Sequence, residues 1–538
     1  MPNPKKQSFL GGAAVLAGAA AIVKLIGAVY KIPLNNILGE VGKTYFNTAY
    51  YIYNVLLTIS TAGLPLAISK LTSQAHAQGR ENQKRKLFRT ALYLFFALGV
   101  IGSVFMFSQA APLAAFMNNP MARLPIRTLS PAVFCVCMLA CMRGYTQGQG
   151  NMTPTAASQI LEALCKVGIG LPCAWYLIRM GQGLDAGAAG AILGVTVGTI
   201  LSMCYLILYL SRHRERLSSR DTPDSSAQIM RQILAIGVPI TLSNSAMSII
   251  SVIDTKIVMG RLQSGLGLVE QQAAALNGQY GFAMDMVNMV VAFAYPVTMS
   301  LLPSASAAMA RKDTRLADSI ISSAFRVIII LSFPAGVGLS VLSEPIMRLM
   351  LPAQPQAAVA AGSHLRILGF ACILIFLMIL SNAVLQTYGK ERIPIFTVIA
   401  GGLTKITMNY ILVGTPSVNI HGAPVSTLCC YGVIVTLNLI FVWIYSPEKP
   451  RYVQLFFKPV CAAAVMGAGA WGTCGLLSRV LSGGGTVSFL HNAIATLFGI
   501  GTGVVIYGVM VIALGILRAD DVRSIPHGKT LIKILHLR

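Results

Sequence analysis

Charge is scarce in this 538-residue chain: Asp, Glu, Lys and Arg make up 11% of it, and the acids number only 17. An average soluble protein carries about 25%, so a water-facing domain of ordinary size is excluded. A GxxxxGK[ST] loop is missing, and there is no soluble stretch to hold one, so nucleotide chemistry has no seat here. None of the eleven cysteines forms a CxxC pair. They lie in apolar stretches, Cys135, Cys137, Cys429 and Cys430 among them, and read as small packing residues rather than metal ligands. The seven histidines, at 76, 213, 364, 421, 491, 527 and 536, are scattered. With few carboxylates in the short outer loops, they offer no acid or His cluster of the kind a membrane-embedded transferase needs.

What is abundant is apolar length, 55% of the sequence being hydrophobic. The run from Phe9 to Lys31 is long enough to cross a hydrocarbon core of roughly 30 Å as a helix. It is too long for a signal-peptide core, has no small-residue cleavage site, and is read as retained. Similar runs fall near 9–30, 46–69, 87–108, 128–148, 153–178, 187–210, 233–259, 279–303, 317–343, 363–388, 393–413, 423–445, 457–478 and 489–516. The expected fold class is therefore an all-α polytopic membrane protein of about 14 transmembrane helices.

The net charge of +24 points to topology rather than to nucleic acid. Most of the 41 Lys and Arg fall in alternate loops and tails, from Lys5 and Lys6 through the Lys84–Lys86 cluster to Arg538. By the positive-inside rule both termini are expected in the cytoplasm of a plasma-membrane protein. The polar segment 211–226, with Pro223, is the one linker candidate, nearly halfway along the first twelve spans. Expected domains are 1–210 (helices 1–6), a linker at 211–230, 231–446 (helices 7–12) and 447–538 (helices 13–14 with the tail). An internal repeat supports two lobes. Leu64-Pro65-Leu66-Ala67 ends the second span as Leu302-Pro303-Ser304-Ala305 ends the eighth, and Pro154 opens the fifth span as Pro394 opens the eleventh.

Ionisable residues inside spans are expensive, and they mark candidate sites. Lys24 lies in the first run, either snorkelling or facing a wet cavity. Glu162 and Lys166, four apart on the fifth span with the acid first, stack on one helix face. Asp254 and Lys256 occupy the seventh span, Asp285 the eighth and Lys405 the eleventh; Arg326 and Arg366 complete the group, Arg366 as a snorkeller. An acid of one lobe facing a base of the other suggests a latch between Asp254, Lys256 and Lys24. Asn47, Asn54 and Thr58 recur at helical spacing and make one polar face of the second span. Bases outnumber acids in the spans, which suits an anionic cargo; a cationic drug wants the reverse.

Three stretches then carry a resemblance: LLTISTAGLPLAISKL (56–71), KLIGAVYKIPLNNILG (24–39) and GYTQGQGNMTPTAASQILE (144–162). They resemble the stage V sporulation protein B-like family, grouped with the MurJ-type lipid II flippases in the multidrug/oligosaccharidyl-lipid/polysaccharide (MOP) exporter superfamily. The resemblance implies a MATE-like V of two six-helix lobes around a cationic cavity, with helices 13 and 14 offering a groove to a polyprenyl tail. Where relatives carry an arginine and then an Arg-Asp pair in the first helix, this chain has Lys24, Tyr30 and Lys31. Gln159 and Glu162 fall in the family's Gln-x-x-Glu position and are carried over as cavity residues.

The function so implied is a flippase for a lipid-linked cell-wall precursor, lipid II first, working by alternating access without cofactor, on membrane potential or a Na+ or H+ gradient. Expected partners are the lipid-linked oligosaccharide, membrane lipids and wall-synthesis proteins, with no nucleic acid and a monomeric chain. Alternatives are export of another lipid-linked oligosaccharide, cation-coupled drug efflux, a membrane-embedded glycosyl- or acyltransferase, and a scaffold for wall-synthesis enzymes.

Overall fold

A computed structural model describes residues 9–213, 221–295, 297–298, 305, 308–309, 313–446, 449, 452–482 and 488–516. Among these the regular elements are helices, without strands. Eleven helical stretches are long and apolar enough to cross a membrane, so the chain is a multi-pass membrane protein. The first of them, Gly18–Ala77, is 60 residues long and holds two of the expected spans. Helices corresponding to the seventh and eighth expected spans are present but lie outside the eleven, so the count of fourteen is not reached by this measure.

The chain divides into two units, Met1–Gly278 and Gln279–Arg538. In the first, α1 runs from Phe9 to Thr61 as two arms that meet at Gly39, whose φ of 68° and ψ of −177° interrupt the helix. The connection expected between residues 30 and 46 is thus helical on both sides of one residue. Glycine alone enters that backbone region without a Cβ clash, so one position suffices to redirect the chain. A second break at Ala62 and Gly63 precedes α2 (Leu64–Ala77), which Pro65 opens in its first turn. The second expected span therefore stops at Thr61 and not at residue 69.

The unit continues with α3 (Glu81–Ser108), α4 (Ala110–Phe116), α5 (Arg123–Gly148) and α6 (Thr153–Cys165). A π-helical turn at Lys166–Gly170 leads into α7 (Leu171–Arg179), followed by α8 (Leu184–Arg212) and α9 (Ser226–Gly260). The helix α10 (Glu270–Val291) begins in this unit and runs into the next. Small residues let backbones touch where lipid supplies no hydrophobic drive. Gly144 and Gly148 of α5 lie on α2: a Cβ on either would stand 2.7 Å from the Pro65 carbonyl and 2.6 Å from that of Ser69 respectively. Two of the stretches that carry the family resemblance therefore press against each other.

Along α9 a ladder of polar contacts joins the first unit's ends. The Gly63 amide donates to Thr241 Oγ1 at 3.2 Å, Thr58 Oγ1 and Ser248 Oγ lie 3.0 Å apart, and Asn118 Nδ2 donates to the Lys256 carbonyl at 3.3 Å. Residues 214–220 of the expected linker lie outside the described residues, but 221–225 are pinned. Asp221 accepts from the Asn82 amide at 3.0 Å and the Gln83 amide at 2.9 Å, while Asp224 meets Arg80 Nη2 at 3.1 Å. The residue at the α3 N-cap, Arg80, makes no side-chain cap. Asp221 thus satisfies two first-turn N–H groups that would otherwise have no partner, from some 140 positions away along the chain. Asp221→Ala is expected to cost about 1–2 kcal/mol, read as a lower Tm of the purified protein, with Asp221→Asn in between; an unchanged Tm for both contradicts the cap.

The second unit holds α11 (Thr314–Val341), α12 (Ser343–Met350), α13 (Pro355–Thr387), α14 (Ile393–Leu412) and α15 (Gly422–Tyr445). Two more helices, α16 (Tyr452–Ser482) and α17 (Phe489–Ala513), pair with each other and pack on Ile330, Phe333 and Val337 of α11 through Ala462, Ala463 and Met466. Asn438 ties three helices: it donates to Ser381 Oγ at 3.0 Å and Asn382 Oδ1 at 2.8 Å, and accepts from Thr397 Oγ1 at 2.8 Å. Pro154 and Pro394 each sit in the first turn of a helix, α6 and α14. The other repeat partner, Leu302-Pro303-Ser304, lies outside the described residues.

Candidate functional site

In the first unit the expected Glu162 and Lys166 pair exists, and it has a third member. Lys166 Nζ lies 3.4 Å from Glu162 Oε1, and Arg143 Nη2 of α5 lies 3.5 Å from Glu162 Oε2. Arg143 Nε also donates to Ser158 Oγ at 2.9 Å. Nine residues separate Glu162 from the start of α6, a rise of roughly 14 Å, which puts the carboxylate near the middle of a ~30 Å core. Two cations on one carboxylate leave the cluster with an excess positive charge. Arg143 Nη2 is buried, and its 3.5 Å contact with Glu162 Oε2 is a long ion pair that falls short of hydrogen-bond geometry.

Local sequence explains the placement. Gly144 and Gly148 hold α5 against α2, which fixes the turn from which Arg143 projects. Lys166 begins the π-helical turn, a feature that recurs where a helix serves a function. Gly170 and Gly194 bring that turn onto α8, a Cβ at Gly170 standing 2.7 Å from the Ala191 carbonyl. Tyr50 and Tyr53 of α1 are in electrostatic range of Glu162, and Tyr50 stacks on Phe46 with centroids 4.7 Å apart. The sequence reading passes over Arg143, although it directly precedes the GYTQGQG stretch inside an apolar run.

The other expected residues are distributed along both units. Lys24 and Lys31 are half-buried on the first arm of α1; Asn47 and Asn54 are half-buried on the second, and Thr58 faces Ser248 of α9. Gln159 is half-buried one turn before Glu162. Asp254 is buried in α9, whereas the Lys256 ammonium lies 3.6 Å from the centroid of the Phe116 ring. That cation–π seat gives Lys256 a partner within its own unit. Lys43, which the sequence reading also leaves aside, is fully buried, 5.8 Å from the Phe46 centroid.

In the second unit Asp285 is buried and Lys405 half-buried, with Lys405 in electrostatic range of Tyr431. Arg366 is exposed. Arg326, Lys449 and Lys458 line a cleft of about 860 Å³ with Asp318, Phe325 and Phe457, at one end of the α16 and α17 pair. A basic rim with aromatic walls can take an anion that carries an apolar tail. Among the described residues no group of three His, Cys, Asp or Glu has metal-ligand proximity.

The model of the family described as "Polysaccharide biosynthesis protein" matches residues 9–309, more than half of the chain. The chain belongs to the polysaccharide biosynthesis protein family. A second model, MatE, matches residues 239–411. Among Bacillus subtilis proteins, the chain is 27% identical to the uncharacterized membrane protein YabM, covering 99% of this chain and 98% of that one. It is 23% identical to stage V sporulation protein B over 97% and 98% of the two chains, and 24% identical to the lipid II flippase MurJ over 75% and 77%. Among solved structures, lipid II flippase MurJ in an inward closed conformation gives a TM-score of 0.68 at 14% identity, covering 93% of this chain and 99% of the other. An inward-facing MATE multidrug transporter of the MOP superfamily gives 0.61 at 14% identity, over 81% of this chain and 100% of that one. This member of the polysaccharide biosynthesis protein family therefore has the MOP-exporter fold.

Proposed function

We propose that the chain is a flippase, not an enzyme, that carries a polyprenyl-diphosphate-linked cell-wall precursor, lipid II, from the inner to the outer leaflet by alternating access. Both termini lie in the cytoplasm in this reading. The observation that carries it is the Arg143–Glu162–Lys166 cluster: a net cation well inside the span, two cationic side chains sharing one carboxylate through long contacts of 3.5 and 3.4 Å. A diphosphate loses its hydration on entering a hydrocarbon layer, and charge-assisted hydrogen bonds from Arg and Lys replace that solvation. An inside-negative potential favours expulsion of an anion. Cation-coupled drug efflux is disfavoured, because a cationic drug would meet like charge here. The family and the sporulation and lipid II relatives in Bacillus subtilis support the same class of cargo.

The test is depletion in the native host, with measurement of which lipid-linked intermediate accumulates on the cytosolic leaflet. Lipid II is expected to build up at least several-fold, with wild-type chain restoring the level and Arg143→Gln failing to. Accumulation of a different lipid-linked oligosaccharide would transfer the cargo assignment to polysaccharide export. No accumulation of any lipid-linked intermediate would end the flippase reading.

A further inference from the structure

A basic cleft that shares no residue with the charge cluster lies in the first unit. A cleft of about 740 Å³ opens between the start of α3 and the start of α9, lined by Arg85, Lys86, Arg89, Tyr93, Pro223 and Met230. Three basic side chains face it and, among the described residues, no carboxylate does. The nearest acids of the linker, Asp221 and Asp224, are engaged by the first-turn amides of α3, by Gln83 and by Arg80. Glu81 is held by Lys84 at 2.6 Å. The same linker contact that caps α3 therefore shapes one wall of the cleft, through Pro223.

What distinguishes this cleft from an ordinary basic loop is its continuation. From Arg89 the exposed face of α3 passes to Tyr93, 75% exposed, and then to Phe96, Val100 and Val104, exposed at 51%, 37% and 58%. These recur at helical spacing and form one stripe. The opposite face of α3, with Leu87, Ala91 and Phe95, is packed on Ile229 and Ile233 of α9. Beside the stripe, Leu234 and Val238 of α9 are exposed at 37% and 42%. In order along α3 come basic head contacts, an interfacial tyrosine and an apolar track, which is the order of an anionic head, a glycerol level and an acyl chain.

We infer that this cleft is a binding site for an anionic phospholipid of the leaflet facing the basic loops, its phosphodiester held by Arg85, Lys86 and Arg89 and one acyl chain lying along α3. The site shares no residue with the Arg143–Glu162–Lys166 cluster, and it does not depend on which cargo is carried. Charge complementarity selects the head and the apolar track selects a lipid over a soluble phosphate. Each basic group near an anionic headgroup contributes roughly fivefold in preference.

The test uses the full chain in lipid nanodiscs, with phosphatidylglycerol and phosphatidylcholine analogues that carry a photoreactive group on the acyl chain. Crosslinks are mapped by mass spectrometry. The phosphatidylglycerol analogue is expected to label the Tyr93–Val104 segment at least about fivefold more than the phosphatidylcholine analogue. The triple variant Arg85→Gln, Lys86→Gln, Arg89→Gln is expected to bring the two to the same level. A charge-keeping variant, Arg85→Lys with Arg89→Lys, retains the preference and controls for misfolding. Equal labelling by both analogues in the wild type overturns the site, as does an unchanged preference in the triple variant. Competition by millimolar inorganic phosphate would show that the phosphate alone is recognised, and would overturn the lipid as the occupant.

Discussion

Replacing Glu162 by Gln is expected to destabilise the protein more than replacing either of its cationic partners. The substitution keeps the shape and removes the one negative charge between Arg143 and Lys166, which lie 3.5 and 3.4 Å from it. The three side chains are 16–27% exposed, and breaking a largely buried ion pair from one side costs up to about 3–5 kcal/mol, because the remaining charge has lost its counter-ion. Here two cations are left together. The double variant Glu162→Gln, Lys166→Gln removes the repulsion between the two cations, returning the cluster to its original net charge, and is expected to recover part of the loss. Thermal unfolding of the four members of this cycle in detergent gives the coupling directly. A Glu162→Gln protein as stable as wild type would mean that the three side chains do not act as one unit.

The second large effect concerns backbone approach rather than charge. At Gly63, between α1 and α2, a Cβ would run into the Gly237 carbonyl of α9 and would stand 2.8 Å from both the amide nitrogen and Oγ1 of Thr241. Gly237 meets the Leu64 backbone in return, its own Cβ position 3.0 Å from Leu64 Cα. The Gly237 carbonyl and the Thr241 amide are backbone atoms, so a methyl group at Gly63 has nowhere to go. Gly63→Ala is expected to cost about 1–3 kcal/mol and Gly63→Val more, and the variants should also expose the Thr58 and Ser248 contact to solvent. Hydrogen exchange at residues 58–66 and 237–248 reads both effects. If Gly63→Val leaves protection in both segments unchanged, α9 does not rest on that bend.

These two sites also show what is legible in a sequence of this kind. Long apolar runs announce helices because, closed barrels of short alternating strands apart, only a helix satisfies the backbone in lipid, and most of the expected spans coincide with helices. The kink at Gly39 is not announced: residues 30–46 read as a connection between two spans, and one glycine among 50 carries no mark of its φ. In the same way, spacing reveals the Glu162 and Lys166 pair, since both sit on one helix. Arg143 is joined to them only across helices, and tertiary contacts of that sort leave no periodicity. The Gly144 and Gly148 spacing is visible as a small-residue pattern, but which helix it admits is decided by Pro65 and Ser69, some 79 positions away. The linker's role as a cap for α3 is equally remote, because Asp221 reads as one acid in a polar segment until Asn82 and Gln83 are beside it.

Tyr50 and Tyr53 extend the charge cluster towards α1, whose first arm carries Lys24 and Lys31, and this fits an electropositive route lined by hydrogen-bonding groups. On this account Arg143 and Lys166 supply the affinity for the diphosphate, while Glu162 keeps both cations extended and separate when no cargo is present.

The most direct measurement is equilibrium binding of a fluorescent polyprenyl-diphosphate sugar to the purified protein in nanodiscs, wild type against Arg143→Gln with Lys166→Gln. A hydrogen bond to a charged group contributes about 1.5–3 kcal/mol, so the account predicts a Kd weakened by roughly tenfold or more with the Tm still showing a folded protein. An unchanged Kd in a folded double variant would contradict it.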